Sequence, residues 1–334
     1  MSSGKRQEKN RNDKERERAY NNPPGGEKKS MEWEVSLIKS LQDAMGKAGE
    51  VATKVFSTAG GEIITLVVLL AIMFCWSKAA GKRSALRIIA ASLWFPMIKN
   101  AVLRMRPYME HEEIRVLLAP EADAELTDVV QQGYSFPSGH SALSATIYGS
   151  ICREAKKKWL WIASMILVAL IGISRFLAGV HYPTDVLGGW TVALAAIAFG
   201  DLMEKYVRKE WVRYMILLAI ALPGLIWCRS RDYFSALGML IGLIAVFPYE
   251  EKYVRYKDTR NIWAMILRVA GAMAVYLVLD KVLKMPFSKD FLNDGTLGSG
   301  LVRAARNAII LFVLFGVYPR VFPLFEKIGK KGSK

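Results

Sequence analysis

The chain has 334 residues, 52% of them hydrophobic, and its 46 Lys and Arg against 30 Asp and Glu give a formal net charge of +16. From about residue 58 onward, apolar runs of membrane-spanning length alternate with short basic clusters, which excludes a soluble globular enzyme, a disordered tail protein and a collagen-like fibre. The basic residues lie where membrane proteins place them, so we predict no nucleic-acid partner despite the positive charge.

Two segments precede the first spanning run. Residues 1–30 have almost no apolar side chains and carry charges of both signs, so we predict a disordered basic tail. Residues 31–57 place apolar side chains at helical spacing among charged ones. This pattern predicts an amphipathic helix that is too polar to cross a bilayer and lies on the membrane surface. The apolar positions are Trp33, Leu37, Ile38, Leu41 and Met45.

Nine apolar segments follow, and they predict an all-α polytopic membrane helix bundle with about nine transmembrane helices. A helix needs about 20 predominantly apolar residues to cross a bilayer. The segments run roughly over 58–76, 85–103, 139–153, 159–178, 185–203, 211–228, 233–249, 262–283 and 301–323.

The loops between these segments differ in charge, and this difference orients the bundle. Basic residues cluster near 78–87, 153–158, 205–213, 252–260 and 327–334, so the positive-inside rule places those segments in the cytoplasm. The long loop between Tyr108 and Ser135 holds seven acidic residues against Arg115, and we expect it to face outward. Nine spans would then put the basic N-terminal tail outside, against the same rule; translation starting at Met31 is a hypothesis that removes the conflict.

Three polar clusters lie at span ends on the side predicted to face outward. They cover 99–107, 136–140 and 174–185. If the helices pack as a bundle, the three clusters converge on one outer pocket. Ionisable residues near a bilayer are expensive to bury and are functional by default.

Cationic and backbone donors in these clusters suit phosphate chemistry. Lys99, Arg106 and Arg175 supply cations for a dianionic group. Ser138 and Gly139 open a helix, where backbone N–H groups and the helix dipole can hold phosphate oxygens. Taken alone, the cations could be snorkelling anchors and the Ser-Gly pair a simple helix start.

The two histidines in the clusters predict a nucleophile and an acid. Asp185 follows His181 by four residues, so its carboxylate can fix the imidazole tautomer and leave the other nitrogen free to attack. His140 is then free to act as general acid. These residues could instead form a structural pair or bind a metal. Three adjacent cations and the absence of HxxxH or HxH spacing argue against a metal, so we predict neither a metal nor a cofactor.

With these motifs in view, the sequence resembles the type-2 phosphatidic acid phosphatase superfamily, which shares its active site with the vanadium-dependent haloperoxidases. The family pattern KxxxxxxRP, PSGH and SRxxxxxHxxxD matches residues 99–107, 137–140 and 174–185 without departure. The resemblance implies a phosphatase core over 58–203. It does not explain the additional C-terminal transmembrane helices that we predict over 204–334.

The resemblance also implies a role for each matching residue. His181 would be the nucleophile that forms a phosphohistidine, Asp185 would orient it, and His140 would protonate the leaving alkoxide and later activate water. The remaining motif residues would bind the phosphoryl oxygens, namely Lys99, Arg106, Ser138, Gly139 and Arg175. The implied protein is a metal-independent phosphatase of a lipid phosphate monoester or diphosphate, in the plasma membrane of a bacterium, with its active site facing outward and membrane lipids as its partners.

Three alternatives stay open on the sequence. A polytopic transporter or flippase-like protein would not need the intact set of His140, His181 and Asp185. A vanadate-using haloperoxidase would be soluble, as those relatives are. A phosphatase of soluble sugar phosphates would share the motifs. The sequence leaves several substrates open: phosphatidic acid, phosphatidylglycerol phosphate, undecaprenyl diphosphate, a sphingoid phosphate or a sugar phosphate.

Overall fold

A computed structural model describes residues 32–328, and over that range the chain is helical without a β-strand, which confirms the predicted all-α bundle. The predicted tail at 1–30, the Met31 start and the last basic residues lie outside the described residues. The longer helices are α1 (Glu32–Ala44), α2 (Lys47–Ala59), α3 (Glu62–Ala71), α4 (Lys78–Val102), α5 (Gly139–Ala155), α6 (Lys158–Leu177), α7 (Pro183–Tyr206), α8 (Glu210–Ala221), α9 (Arg231–Tyr249), α10 (Ile262–Lys284) and α11 (Leu297–Phe312).

The predicted count of nine transmembrane helices is not confirmed. Among the described residues, six helical stretches are long and apolar enough to cross a membrane, or seven if the bent pair of α2 and α3, with its 51° angle, forms one span. The six stretches are Lys78–Glu110, Lys158–Leu177, Pro183–Tyr206, Arg231–Val254, Ile262–Lys284 and Leu297–Ile328.

Two predicted spans form shorter helices than the six stretches above. Helix α5 has 17 residues, or about 25 Å at 1.5 Å per residue, against a hydrocarbon thickness of about 30 Å. Helix α8 has 12 residues and gives way to a 3₁₀ turn at Leu222–Ile226, where Pro223 lacks the N–H that would continue the α-helix. Apolar content made both segments resemble spans, but helix length separates them from the others.

The segment predicted as one amphipathic helix forms two helices, α1 and α2. They separate at Gly46, whose extended backbone (ψ −179°) caps the start of α2. One face of α1 packs through Val35 and Ile38 against Ile114 and Tyr182, so this helix covers part of the loop region beside the motif ends. The location of its other face on a membrane surface stays a prediction.

Helices α4, α5, α6 and α7 form the part of the bundle that carries the three motifs. Helices α4, α5 and α7 share one apolar cluster that includes Phe95, Leu143, Ile147 and Val192. Helix α6 packs against α7 at Gly172, where a Cβ would lie 2.7 Å from the side chain of Val186. The helices approach closely at Gly189, where a Cβ would lie 2.5 Å from the carbonyl oxygen of Ser138. Small residues allow such close backbone approach in membrane bundles. This contact sets the second and third motifs side by side.

The C-terminal helices α9, α10 and α11 pack onto the same apolar cluster rather than forming a separate body. Helix α9 lies directly against α11, because a Cβ at Gly238 would lie 2.1 Å from the carbonyl oxygen of Ala304. Gly242, one turn further along α9, meets Ala308 in the same way, at 2.8 Å. The spacing of these two glycines is the small-xxx-small pattern of close helix pairs. It fixes the start of α9 beside the motif-bearing helices.

Candidate active site

A cavity of about 1080 Å³ opens where the three motifs end. Six of the eight predicted site residues line it, namely Lys99, Arg106, Gly139, His140, Arg175 and His181. The other two, Ser138 and Asp185, are fully buried directly behind them, at 0% exposure. The structure therefore brings all eight into one site, although they come from three separate segments of the chain.

Two of the cations in this cavity have no carboxylate partner. Arg175 is 2% exposed, and its Nε and Nη1 find no hydrogen-bond partner within residues 32–328. Lys99 is 7% exposed, and its ammonium group lies 5.7 Å from the centre of the Phe95 ring. Burying a charge without a partner is costly. A site that leaves both cations unpaired is built to receive an anion.

Arg106 is held in place by backbone carbonyl groups instead of an acidic side chain. Its guanidinium donates to the carbonyl oxygens of Gln132 (2.8 Å), Gly133 (2.9 Å) and Val180 (2.8 Å). Neutral acceptors fix the orientation of the group and leave its positive charge in the cavity. The carbonyl groups of Gln132 and Gly133 belong to the acidic loop, so this loop forms one wall of the site.

His181 lies in the connection between α6 and α7 and has an acceptor on one side and the cavity on the other. Its Nδ1 is 3.4 Å from Oδ2 of Asp185, and its Nε2 is 3.4 Å from Nη1 of Arg106. A carboxylate beside Nδ1 favours the tautomer that carries its proton there, which leaves the lone pair on Nε2. Burial and the charges of Arg106, Lys99 and Arg175 hold the pKa of the His181 imidazole well below its usual 6.5.

The carboxylate of Asp185 is fixed by several donors besides the histidine. The backbone N–H of Tyr182 donates to Oδ2 at 2.7 Å, and the hydroxyl of Ser135 donates to the same oxygen. Arg104 donates to Oδ1 at 2.7 Å. With both oxygens occupied, the carboxylate cannot turn away from His181. Donors that hold a carboxylate in this way also fix the orientation of the imidazole beside it.

A buried carboxylate from α1, Glu34, reaches the same assembly. Glu34 is 2% exposed and accepts from Nη2 of Arg104 at 2.6 Å, from the backbone N–H of Thr184 at 2.9 Å and from the hydroxyl of Thr184 at 2.7 Å. The sequence analysis missed both Glu34 and Arg104. Arg104 lies inside the first motif at an unspecified position, and no sequence spacing relates it to a residue 70 positions earlier.

The second motif places His140 at the start of α5. Ser138 is the N-cap, and its Oγ accepts from the backbone N–H of Ser141 at 3.4 Å, while its own N–H donates to the carbonyl oxygen of Asp185 at 2.9 Å. The second and third motifs are thus joined through the backbone. His140 also faces the bend between α2 and α3, since a Cβ at Gly61 would lie 3.9 Å from its Nε2.

The cavity continues beyond the motifs to the C-terminal helices. Residues from the start of α9, from α11 and from the connections around them line its far side, namely Arg229, Ser230, Arg231, Asp232, Ser235, Gly295 and Arg303. The sequence analysis assigned no role to them. Arg303 carried a signal that could have found it, because an arginine inside an apolar run is expensive unless it serves a function.

Metal binding finds no support in the donor set of this cavity. Within the described range, no group of three or more His, Cys, Asp or Glu side chains is arranged to hold a metal ion. The unpaired donors at the centre are cationic, which suits an anion. That catalysis proceeds without a metal or cofactor stays a prediction.

The chain matches two family models. Residues 81–209 match the PAP2 superfamily, and residues 234–330 match the PAP2 superfamily phosphatase transmembrane extension. The first match contains all three motifs. The second contains α10, α11 and most of α9, which explains the helices that the sequence analysis left outside the core.

Curated relatives are similar over parts of the chain. Phosphatidylglycerophosphatase B of Bacillus subtilis (strain 168) is 39% identical over 94 residues, which is 24% of this chain and 46% of the relative. Undecaprenyl-diphosphatase of Sulfolobus acidocaldarius is 29% identical over 124 residues, 37% of this chain and 55% of the relative. Undecaprenyl-diphosphatase BcrC of Bacillus subtilis (strain 168) is 30% identical over 162 residues, 46% of this chain and 76% of the relative. The chain spans about half the length of the first two. No solved structure matches it.

Proposed function

The chain belongs to the PAP2 superfamily, and from this membership and the geometry of its site we propose that it is a membrane phosphatase that hydrolyses a lipid phosphate through a covalent intermediate on His181. The observation that carries the proposal is the pair of buried, unpaired cations Lys99 and Arg175 beside a histidine oriented by Asp185. The relatives support the substrate class, because their names state phosphatidylglycerophosphate, undecaprenyl diphosphate and lipid A as their substrates.

In the first step, Nε2 of His181 attacks phosphorus and the bond between phosphorus and the lipid oxygen breaks. His140 passes a proton to that oxygen as it leaves, so no free alkoxide is released. The negative charge of the dianionic substrate offsets the three cations, so that His140 can carry a proton beside them. Lys99, Arg106 and Arg175 hold the equatorial oxygens and stabilise the charge that develops on them.

In the second step, water attacks the phosphohistidine. His140 takes a proton from the water, the new bond from oxygen to phosphorus forms, and the bond from phosphorus to Nε2 of His181 breaks. Inorganic phosphate leaves, and His140 is again protonated for the next substrate. Asp185 keeps the proton on Nδ1 throughout, so the same nitrogen serves as nucleophile and as leaving group.

We also propose that the site faces the outside of the plasma membrane of a bacterium. The basic segments at the opposite ends of the motif-bearing helices support this orientation through the positive-inside rule. Asp123→Cys places a thiol in the acidic loop, where an impermeant maleimide added to whole cells should label it. Protection of this thiol in whole cells, with labelling only after lysis, would reverse the proposed orientation.

The test of the activity is phosphate release by the purified protein from phosphatidic acid, phosphatidylglycerol phosphate, undecaprenyl diphosphate and glucose 6-phosphate. We expect the highest kcat/KM among the lipids. Quenching with alkaline detergent after reaction with ³²P-labelled substrate should trap a base-stable, acid-labile phosphoenzyme that His181→Ala does not form. Absence of release from every lipid, or a labelled phosphoenzyme in His181→Ala, would overturn the proposal, and a preference for glucose 6-phosphate would overturn the lipid class.

A further inference from the structure

The cavity is shared between the motif-bearing helices and the C-terminal helices. All motif residues lie at or before position 185, whereas Arg229, Asp232, Ser235 and Arg303 line the far side of the same cavity. Its volume of about 1080 Å³ is at the upper end of the range for sites that hold drug-sized ligands, and is far more than one phosphate group requires. The cavity therefore has room on its far side for a part of the substrate that the motifs do not hold.

Two arginines on that far side keep their charge available. Arg303 donates through Nη2 to the carbonyl oxygen of Leu292 at 3.1 Å, and Arg229 donates through Nη1 to the carbonyl oxygens of Leu225 (2.6 Å) and Cys228 (3.1 Å). Within the part of the chain that the structure describes, neither forms an ion pair with a carboxylate. Carbonyl acceptors orient the guanidinium groups without neutralising them, as they do for Arg106.

The third arginine on this side, Arg231, differs from the other two because a carboxylate neutralises its charge. Arg231 forms an ion pair with Glu121 of the acidic loop at 3.0 Å and donates to Gln131 at 3.3 Å. These contacts hold the acidic loop against the start of α9. Arg303 and Arg229 are therefore the two cations of the far side that can receive an anion.

Two carboxylates also line the cavity. Asp232 interacts electrostatically with both Lys99 and Arg303, and Glu62 does the same. Each therefore reduces the repulsion between the motif cations and the far-side cations in the empty site. Neither lies within ion-pair distance of Arg303, so the guanidinium keeps room for an oxygen ligand.

We propose that Arg303 and Arg229 form a second phosphate subsite, which binds a phosphate group of the substrate other than the one that is cleaved. This inference rests on the proposed function and narrows its substrate class to lipids that carry two phosphate groups. The second group can be the inner phosphate of a lipid diphosphate or the phosphodiester of a glycerophosphate headgroup. Both offer the oxygens that an arginine binds in bidentate fashion.

The test compares substrates that differ mainly by one phosphate. Farnesyl diphosphate is paired with farnesyl phosphate, and phosphatidylglycerol phosphate is paired with phosphatidic acid of the same acyl chains. For the variant with Arg303→Gln and Arg229→Gln, we expect kcat/KM to fall about tenfold or more for the two-phosphate member of a pair and less than about twofold for the one-phosphate member. Arg229→Gln alone, at an exposed position, should show a smaller fall in the same direction.

Lys289→Gln is the matched control, because it removes one positive charge from an exposed position between α10 and α11 that does not line the cavity. It should change neither ratio. A selective fall in one pair only supports the subsite and identifies which kind of second phosphate it takes. If kcat/KM falls equally for both members of each pair, or falls for neither member of either pair, the subsite is overturned and the proposed phosphatase function is unaffected. Absence of phosphate release by the wild-type protein would overturn the proposed function, and the subsite with it.

Discussion

Buried arginines occur at both ends of the motif-bearing helices, but their surroundings are opposite. At one end Arg87, 3% exposed, donates to Glu154 at 3.1 Å and to Asp201 at 2.9 Å, and Arg83 joins the same carboxylate of Glu154. We call Arg83, Arg87, Glu154 and Asp201 the ion-pair cluster. At the other end Arg175 is 2% exposed, and neither its Nε nor its Nη1 has a partner among residues 32–328, whereas for Arg87 only Nε lacks one there.

This difference separates charges that hold the fold from charges that bind a ligand. A buried cation has lost its contacts with water, and only its carboxylate partners replace them. Removing one member of the ion-pair cluster therefore leaves a buried charge without compensation. The cations of the cavity are desolvated in the same way, and under the proposed function the anionic substrate is the partner that they lack. The protein is therefore expected to be less stable because of its catalytic cations and more stable because of its ion-pair cluster.

The largest effect is expected from removing the nucleophile. His181→Ala should lower kcat by at least about 10⁴-fold, since no other group can form the covalent intermediate. His111→Ala is the matched control, because His111 lies in the acidic loop outside the cavity wall, 4.0 Å from Glu113. Phosphate release measures both. Activity of His181→Ala within tenfold of wild type would contradict the assignment.

His140→Ala sharpens the same prediction by separating the two chemical steps. Without His140, water is not activated and the phosphohistidine should persist. With a diphosphate substrate, whose leaving group needs less protonation, labelled enzyme should accumulate in this variant beyond the wild-type level. A lower level of label than wild type with that substrate would show that His140 acts chiefly in the first step.

Replacing one buried arginine at each end by leucine tests the comparison directly. Arg175→Leu should lower kcat/KM by about 10²–10³-fold, the usual cost of losing a donor to the transition state, and should leave the apparent Tm equal or higher. Arg87→Leu should instead lower the stability of the protein, because it leaves the carboxylates of Glu154 and Asp201 uncompensated. The expected loss in stability is about 3–5 kcal/mol, with kcat/KM nearly unchanged at low temperature.

Thermal unfolding in one detergent and phosphate release well below the lower Tm measure this pair of variants. Vanadate adds a ligand arm: it should raise the apparent Tm of wild type and of Arg87→Leu, but not that of Arg175→Leu, because only a protein that binds the anion gains stability from it. A loss of stability in Arg175→Leu as large as in Arg87→Leu would remove the distinction between the two ends.

A smaller effect is expected from the residues that position the nucleophile. Glu34→Gln and Arg104→Lys should each lower kcat by about 10–100-fold, with KM changed less than about twofold, since supporting hydrogen bonds typically contribute that much. Asp43→Asn is the control, because it also removes a carboxylate from α1, but from an exposed pair with Lys39. A change in KM with constant kcat would instead place Glu34 in substrate binding.

The sequence predicted the catalytic cavity better than the surroundings that complete it. His181, Asp185 and the cations lie in short ordered motifs, so spacing and residue chemistry were sufficient to group them. Glu34 and Arg303 come from segments 65 residues before Lys99 and 118 residues after Asp185. Only the packing of α1 against the connections beside the motifs and of α11 against α9 brings them to the site, and sequence spacing does not predict that packing.

The span count shows the same limit for the fold. Hydropathy found the six long apolar helical stretches of the described range, because apolar content is a local property. It did not reveal that α8 ends at Ala221, before Pro223, and it counted α5 as a span although the predicted segment, 139–153, was itself short. Helix length depends on caps and on contacts with neighbouring helices, as at Lys156, whose left-handed conformation (φ 54°) ends α5.

The smallest expected effect is on the pH dependence of stability, to which His181 contributes. Burial and three nearby cations hold the pKa of its imidazole below 6.5, so between that value and the lowered one the unfolded chain binds more protons there than the folded protein. Unfolding then takes up a proton, and the free energy of unfolding falls as the pH drops below about 6.5, by at most about 1.4 kcal/mol per pH unit for this group.

His181→Gln should remove this contribution, so the apparent Tm of the variant should fall less steeply than that of wild type between pH 7 and pH 5. His111→Gln, which changes an equivalent side chain outside the cavity, should keep the wild-type slope. A saturating anion should flatten the wild-type slope as well, because its negative charge offsets the cations that oppose protonation of His181. Equal slopes in wild type and His181→Gln would mean that the cations of the catalytic cavity do not act on the nucleophile, and the contrast with the ion-pair cluster would then rest on Arg175 and Lys99 alone.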